Sequence, residues 1–511
     1  MNQYNFSNKT GKWPKIFLLS IGVITALFIL MYKISMKPSH KSNNELVIYC
    51  AAGIRLPITE IAENYSKEYN IPVRFEYSSS GELEAKLSQD ATFNKNRADL
   101  YIPADYSFRD RTKNKGLTVE SLPLAEFRLV LAVKPDSTLQ IRSVKELLDR
   151  GFPFAVCNEK AGAGKKTING LKKSKLWEIA KKKIKVQYPT VTECANAIKT
   201  SNDIKAGFIW DTTARQFGLK IIDTPELSSL VSTITVNVVS STTSPPAALH
   251  FARYLSSPEK GTPVFTKYSF TPAPGDNWAD SPKLILYCGG VNRNAVEKTI
   301  KEFELREGVT VEKSYAGCGT LVSSIFGQSL NEGFPDAFMT CDKSYMDKVN
   351  KDFLNPSDIS ATDIIILTRK GNPKNIKTIK DLAAPGLKIG TTDQRKSTLG
   401  YLSWQIFQKM DIEEQMKSNV IVTSPTAHEL LSQYMAHDKL DAVLVYKANC
   451  SQVLDEYHII IIDHPLATAI QNIGISKKSH YPLIMSRLVN ALKSAKSRAR
   501  FEQVGFKWMA K

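Results

Sequence analysis

The chain contains a long internal duplication. The segment ELVIYCAAGIRLPITEIAENYSKEYNIPVRFEYSSSGELEAKL at 45–87 matches KLILYCGGVNRNAVEKTIKEFELREGVTVEKSYAGCGTLVSSI at 283–325, an offset of about 238 residues. The match continues at nearly the same offset, because ADLYIPAD at 98–105 corresponds to PDAFMTCD at 335–342. Solenoid repeats have periods of about 20 to 50 residues, so a repeat of this length indicates a duplicated domain.

Within each copy, short apolar segments alternate with amphipathic ones. In the first copy, LVIYCAA is followed by PITEIAENYSKEY, VRFEYSS, ELEAKLSQ and DLYIPAD. This alternation predicts a mostly parallel sheet covered by helices, with ligands bound beyond the carboxyl ends of the strands. The second half of each copy has its own alternation, so we predict two lobes around a cleft. The predicted domains are 45–272 and 283–511, joined by a Pro-rich linker over 273–282.

The N-terminal region contains an uncharged apolar run, Ile16 to Tyr32, bracketed by Trp13 and Tyr32. About 20 apolar residues are needed to span a bilayer, and aromatic residues are typical of the interface. No small-residue cleavage site follows the run. We therefore predict a cytoplasmic N-terminus over 1–15 and an uncleaved transmembrane signal anchor over 16–34. The expected localisation is a single-pass protein of the cell membrane with the bulk of the chain periplasmic or extracytoplasmic.

The composition argues against several classes of function. The chain of 511 residues has a net charge of +18, which favours anionic partners, but its lysines are scattered and no nucleic-acid motif is present. Only 7 histidines occur, none of them in the matched segments at the strand ends, so a catalytic triad is hard to assemble. We predict no enzyme activity, no catalytic residues, no cofactor, no metal site and no nucleic-acid partner.

The serines at 78–80 precede a segment that reads as a helix. A helix N-terminus presents unpaired N–H groups, so Ser79 and Ser80 could hold a small anion there. Serine is also a preferred N-cap residue, so an ordinary cap explains the same pattern. The sequence leaves both interpretations open.

Each copy resembles the molybdate-binding protein of ABC importers, which has the type II periplasmic solute-binding fold. The resemblance rests on CAAGI, YSSSG, ADLYIPAD, AGAGK and GFIW, in this order in the first copy, and on their counterparts in the second. It implies an α/β fold class: two tandem type II periplasmic-binding-protein-like domains, each with two α/β lobes around a cleft, after the N-terminal transmembrane segment. The implied function is capture of a small oxyanion, molybdate- or tungstate-like, for an ABC transporter permease. The alternative is a ligand sensor or scaffold at the membrane surface, built from degenerate solute-binding domains.

The resemblance also implies ligand-binding residues in both copies. In the first copy they are Gly53, Ser79 or Ser80, Ala163, Thr192 and Trp210. In the second copy they are Val291, Gly317 or Cys318, Ser397, Ala427 and Tyr446. Gly53 and Val291 lack the hydroxyl of the family's serine, and Trp210 replaces its tyrosine. The first copy keeps Ser79 and Ser80, so we expect it to be the more competent binder.

Two further sets of residues have more than one interpretation. Arg55 and Arg293 occupy matching positions, where each could pair with an oxyanion or remain solvated. Cys288, Cys318 and Cys341 fall at three strand ends of the second copy. They could bind a soft metal, form a disulfide or remain inert thiols.

Overall fold

The computed structural model describes residues 45–328, 333–435, 437, 439–450 and 454–510. The predicted anchor over 16–34 and the predicted cytoplasmic segment over 1–15 lie outside these residues. Within them, the longest α-helices have 15 residues and are amphipathic, and no helix is long and apolar enough to cross a bilayer. The predicted localisation as a single-pass membrane protein is therefore wrong for the part of the chain that the structure describes.

The first copy forms ten strands, which are β1 (Leu46–Ala51), β2 (Val73–Ser78), β3 (Leu100–Ile102), β4 (Thr118–Val133), β5 (Phe154–Cys157), β6 (Ile184–Tyr188), β7 (Ala206–Trp210), β8 (Lys220–Ile222), β9 (Val231–Val239) and β10 (Thr271–Pro272). Its α-helices are Arg55–Tyr69, Ser80–Thr92, Tyr106–Asn114, Val144–Asp149, Gly162–Lys173, Trp177–Lys183, Val191–Thr200, Asp211–Gln216, Pro245–Ser256 and Gly261–Lys267. The strand order is β2-β1-β3-β9-β4-β7-β5-β6, and β8 and β10 pair with β4.

The second copy repeats this arrangement with β11 (Lys283–Gly289), β12 (Thr310–Ala316), β13 (Ala337–Met339), β14 (Phe353–Arg369), β15 (Ile389–Thr392), β16 (Val420–Ser424), β17 (Ala442–Tyr446), β18 (Tyr457–Ile461), β19 (Thr468–Ser476) and β20 (Lys507–Trp508). Its α-helices are Arg293–Glu307, Cys318–Gly327, Lys343–Asp347, Thr398–Lys409, Glu413–Asn419, Ala427–Glu429, Pro482–Leu492 and Ala495–Gln503. The strand order is β12-β11-β13-β19-β14-β17-β15-β16. The two sheets therefore have the same topology, and the predicted pair of tandem α/β domains is confirmed.

One long strand in each domain connects two lobes. The first part of β4 pairs with β9, and its last part pairs with β7. β14 likewise pairs first with β19 and then with β17. The sheets are mixed, because β4 and β14 run antiparallel to these partners while β1 and β5 pair with parallel strands. The sequence predicted mostly parallel sheets and did not predict these long antiparallel strands.

The carboxyl ends of the parallel strands position the cleft. β1 is an apolar strand, LVIYCA, that is almost wholly buried, as expected for a strand covered by helices on both faces. The next segments begin with small or capping residues. Thr190, for example, starts the helix Val191–Thr200 with a capping box that it forms with Glu193. Strand ends and helix N-termini from both lobes therefore meet along the cleft.

The first lobes of the two domains pack against each other through a buried ion pair network. The Arg487 guanidinium donates to the Glu307 carboxylate from Nε at 2.6 Å and from Nη2 at 2.9 Å. Arg253 of the first domain donates from Nη1 to the Glu307 carbonyl at 2.7 Å, and that nitrogen lies 3.6 Å from the carboxylate. The side chains of Glu307, Arg253 and Arg487 are only 2%, 4% and 10% exposed.

A second set of contacts reinforces this interface. Arg306 of the second domain forms a two-pronged pair with Glu120 of the first, with Nη2 at 2.8 Å from Oε2. Asp276, in the linker, accepts hydrogen bonds from the backbone N–H groups of Leu483 and Ile484 at the start of the helix Pro482–Leu492. The two first lobes thus form one central body, and each second lobe is joined to it through β4 or β14.

Candidate functional site

The cleft of the first domain is lined by residues from both lobes. Its cavity has a volume of about 20 Å³. The lining residues are Ala51, Ala52, Gly53, Ser78, Ser79, Ser80, Ala104, Ala161, Gly162, Ala163, Thr190, Val191 and Trp210. Among the predicted site residues, Gly53, Ser79, Ser80, Ala163 and Trp210 are therefore brought together. Arg55 and Thr192 do not line this cavity.

The serines have different hydrogen-bond partners. Ser79 is the N-cap of its helix, because its Oγ accepts the Glu82 N–H at 3.4 Å. The Ser78 hydroxyl bonds the Glu82 carboxylate, and this bond lowers the pKa of Glu82. Ser80 Oγ accepts the Ala104 N–H at 3.0 Å. A hydroxyl that accepts from the backbone keeps its own proton, so Ser80 can still donate to an anion. The capping and anion-binding interpretations are thus compatible.

Gly53 and Trp210 shape the opposite wall. A Cβ atom on Gly53 would lie 2.7 Å from Val191 Cγ1, so this position has no room for a larger residue. The same Cβ position is 3.6 Å from Trp210 and 3.7 Å from Thr213 Oγ1. The Trp210 ring is buried and stacks on Phe127, with the ring centroids 4.1 Å apart.

Thr213 was not predicted from the sequence. It is fully buried, and its hydroxyl has no hydrogen-bond partner among the described residues. Thr213 follows the end of β7 by three residues, and Asn449 follows the end of β17 by three. Asn449 lines the second cleft, so a polar residue stands near both clefts at this position. In the sequence, the only indication of this position was that a polar residue stands three positions after the corresponding strand in both copies.

The second cleft contains a larger cavity of about 360 Å³. The lining residues are Gly290, Val291, Arg293, Asn294, Tyr315, Ala316, Gly317, Cys341, Ser397, Leu399, Pro425, Thr426, Ala427, His428, Tyr446 and Asn449. The structure therefore brings together the predicted residues Val291, Arg293, Gly317, Ser397, Ala427 and Tyr446. Cys318 does not line this cavity, but its neighbour in space Cys341 does.

Backbone hydrogen bonds between the lobes show which residues of the two copies correspond. The Gly81 N–H donates to the Lys160 carbonyl at 2.7 Å, and the Gly319 N–H donates to the Lys396 carbonyl at 3.1 Å. A Cβ on Gly81 would lie 2.9 Å from the Lys160 carbonyl oxygen, so the close approach requires glycine.

This correspondence shifts two of the pairs that the sequence suggested. Ser397 then corresponds to Ala161 rather than Ala163, since each residue is the N-cap of the helix that follows. Ala427 corresponds to Val191 rather than Thr192, because Thr426 and Thr190 are the matching N-caps. The sequence alone could not decide these one- and two-residue shifts.

The two arginines each contact an aromatic ring. The Arg55 guanidinium lies 5.1 Å from the Tyr77 ring centroid, and the Arg293 guanidinium lies 5.2 Å from that of Tyr315. Both arginines are exposed. Such a cation–π contact holds an arginine in place while its N–H groups remain available. Arg293 differs from Arg55 in that it lines a cavity.

The thiols of the second cleft are free cysteines. The Cys341 N–H donates to Cys318 Sγ at 2.9 Å, and the hydrogen bond from the Cys318 thiol lowers the pKa of Cys341. Burial raises the pKa of Cys288. Among the described residues no cluster of three or more His, Cys, Asp or Glu side chains is arranged to hold a metal ion. The three-thiol metal site therefore has no structural support here.

The repeated aspartates have structural contacts. Asp105 and Asp342 are N-caps, accepting the backbone N–H groups of Ser107 and Ser344 at 3.0 Å. In the first domain, Lys166 of the second lobe lies 3.1 Å from the Asp105 carboxylate of the first lobe. The carboxylates thus cap helices and, in the first domain, join the lobes.

The fold and the paired clefts define a tandem of two-lobed ligand-binding domains. A model of the bacterial extracellular solute-binding protein family matches residues 46–271 and, a second time, residues 284–507. The chain belongs to this family and is a tandem duplication of its solute-binding fold. The family is one of solute-binding proteins, and the absence of enzyme activity stays a prediction.

Individual relatives match about one copy each. The chain is 25% identical over 225 residues to a binding protein of Haemophilus influenzae, covering 44% of this chain and 90% of the relative. It is 25% identical over 231 residues to the molybdate-binding protein ModA of Mycobacterium bovis, covering 44% of this chain and 84% of the relative. Among solved structures, the periplasmic molybdate-binding protein of Azotobacter vinelandii is 18% identical with a TM-score of 0.38, covering 44% of this chain and 99% of that structure.

Proposed function

We propose that the chain captures a small tetrahedral oxyanion of the molybdate or tungstate kind in its first cleft and delivers it to the permease of an ABC importer. The observation that carries this proposal is the set of neutral hydrogen-bond donors around a very small cavity. Ser80 retains a free hydroxyl proton there, and Trp210 contributes an indole N–H to the same residue set. The similarity to a molybdate-binding protein supports the choice of anion.

Closure of the lobes would make these donors effective. Neutral hydrogen bonds to an anion are stronger where water is excluded. The cavity of about 20 Å³ has room for little more than one water molecule, so the lobes must part slightly to admit a four-oxygen anion. The Gly81–Lys160 hydrogen bond and the Lys166–Asp105 pair are the contacts that would lengthen or break when the anion is bound. The net charge of +18 would help to attract anions, more so at low salt.

Calorimetric titration of the full chain with molybdate, tungstate, sulfate and phosphate tests this proposal. Removing one hydrogen bond to a charged group costs about 1.5 to 3 kcal/mol, so Ser80→Ala should weaken oxyanion binding by about ten- to a hundredfold. Ser88→Ala is the matched control. Its hydroxyl donates to the Glu84 carbonyl of the same helix and does not line the cleft, so this variant should bind as the wild type does.

No heat from any oxyanion, with the protein folded, would refute the proposal. That result would favour a ligand sensor or a scaffold. An equal loss in Ser80→Ala and Ser88→Ala would also count against the assigned site. Delivery would be tested separately, by measuring uptake of the bound anion in cells with and without this chain.

A further inference from the structure

The two clefts differ in size although they share one backbone hydrogen bond between the lobes. The hydrogen bond from Gly81 to the Lys160 carbonyl and the one from Gly319 to the Lys396 carbonyl join corresponding points of the two lobes. The cavities nevertheless measure about 20 Å³ and about 360 Å³. Because the matched bond is present in both domains, we compare the side chains along the two clefts to account for the difference in volume.

An aromatic stack supports one wall of the first cleft and is missing from the second: Trp210 lines the first cavity, and Phe127 packs against its ring. Trp210 ends β7 and stacks on Phe127 of β4. Phe127 pairs with Ser232 and Thr362 pairs with Ala469 at the same position of the two sheets, so Thr362 replaces Phe127 in the second domain. Tyr446 replaces Trp210. A threonine and a tyrosine thus stand where the first domain has two stacked rings.

This replacement leaves a polar atom without a partner. The Tyr446 side chain is 3% exposed and lines the larger cavity, but its hydroxyl has no hydrogen-bond partner among the described residues. Burial raises the pKa of Tyr446, so the hydroxyl stays protonated and can donate. A buried hydroxyl without a partner is unfavourable, and a hydrogen bond to a ligand group would remove that cost.

The charge of the cavity indicates the class of ligand. Arg293 lines the cavity, and no Asp or Glu is among the lining residues, all of which the structure describes. Asn449 and His428 add polar groups, while Leu399 and Pro425 add apolar surface. Small-molecule sites typically have volumes of about 300 to 1,000 Å³ and combine apolar walls with a few polar groups. A tetrahedral oxyanion would leave most of this space filled with water.

We propose that the second cleft binds a small organic anion, a carboxylate or a phosphate ester, rather than the oxyanion of the first cleft. The acidic group pairs with the planar fork of Arg293, which matches carboxylate and phosphate alike. The organic body occupies the rest of the cavity beside Leu399 and Pro425, and a polar group of the ligand bonds the Tyr446 hydroxyl. This inference rests on the proposed solute-binding function, but it concerns the other cleft.

The test uses the full chain titrated with malate, citrate and benzoate, with glycerol phosphate and phenyl phosphate, and with molybdate. The double variant Thr362→Phe/Tyr446→Trp rebuilds the aromatic stack in the second cleft. At least one organic anion should bind to the wild type, and its affinity should fall tenfold or more in this variant. Molybdate affinity should not change. Comparison of the carboxylates with the phosphate esters of the panel shows which acidic group the second cleft prefers.

Tyr446→Phe is a gentler variant that removes only the unpartnered hydroxyl. It should lower the affinity for the same organic anion by about tenfold, which corresponds to about 1.4 kcal/mol. Tyr287→Phe is its control, since the Tyr287 hydroxyl donates to Gln328 and does not line the cavity.

The inference is overturned if no organic anion of the panel binds, or if binding survives unchanged in both the double variant and Tyr446→Phe. Molybdate binding in the same titrations would show that the proposed function of the first cleft still stands. If molybdate does not bind while an organic anion does, the oxyanion proposal for the first cleft is refuted instead.

Discussion

Replacing Glu307 with Gln tests how strongly the central ion network holds the two domains together. Glu307 is the carboxylate that contacts both the Arg253 and the Arg487 guanidinium groups, and the more distant Asp276 carboxylate also interacts electrostatically with both. The substitution keeps the shape of the side chain but removes its charge. The two largely buried guanidinium groups would then face a neutral amide in place of the carboxylate.

The expected cost follows from the burial of all three side chains. Breaking a buried ion pair by removing one partner costs about 3 to 5 kcal/mol, because an uncompensated charge stays in a medium of low polarity. The side chains are 2%, 4% and 10% exposed, so little of this cost is relieved by solvent. A loss of this size is a large fraction of the 5 to 15 kcal/mol that is typical of protein stability.

Urea unfolding followed by tryptophan fluorescence measures this loss. Glu502→Gln is the matched control, because Glu502 also pairs with an arginine, Arg498, but on the surface, where the two side chains are 44% and 55% exposed. Exposed pairs contribute little to stability, so the control should keep the wild-type midpoint. A loss of less than about 1 kcal/mol in Glu307→Gln, or equal shifts in both variants, would refute the argument that this network holds the central body together.

The remaining predictions concern the first cleft and the pH dependence of stability. Thr213→Val should weaken oxyanion binding about tenfold, since the buried Thr213 hydroxyl has no partner among the described residues and lies 3.7 Å from the position of a Cβ on Gly53. An unchanged affinity in the calorimetric titration would show that Thr213 does not contribute to the site. Burial lowers the pKa of the half-buried His250 to about 4 from its usual 6.5. As the pH falls, the unfolded chain therefore binds a proton at His250 before the folded chain does, which favours unfolding. The free energy of unfolding of the wild type should fall by about 2 kcal/mol between pH 6.5 and pH 4. Urea unfolding of His250→Gln should show a smaller fall over the same pH range.

The predicted fold followed from local patterns. In each copy, apolar segments alternate with amphipathic ones, and the alternation is repeated at a nearly constant offset. These patterns predict two α/β domains from the sequence because each pattern involves only consecutive residues. The same patterns placed small residues and serines at strand ends, and the structure brings Gly53, Ser79 and Ser80 together at one cavity. The domain boundaries at 272 and 283 stay predictions.

Properties that depend on contacts between distant segments could not be predicted from the sequence. The correspondence of Ser397 with Ala161 became clear only from the hydrogen bonds between the lobes of each domain. Thr213 belongs to the wall of the first cleft because it lies close to Gly53, which is some 160 residues away along the chain. The stacking of Phe127 on Trp210 and the difference in volume between the clefts likewise depend on side chains that are far apart in the sequence.

The sequence by itself determined that the chain is a duplicated pair of α/β domains with polar strand ends, because periodicity and small residues act locally. Only the tertiary structure decided that the first lobes form one body around Glu307, and that one cleft is nearly filled while the other is open. Packing and charge burial depend on contacts between side chains that are far apart in the sequence, and the spacing of residues along the chain does not reveal such contacts.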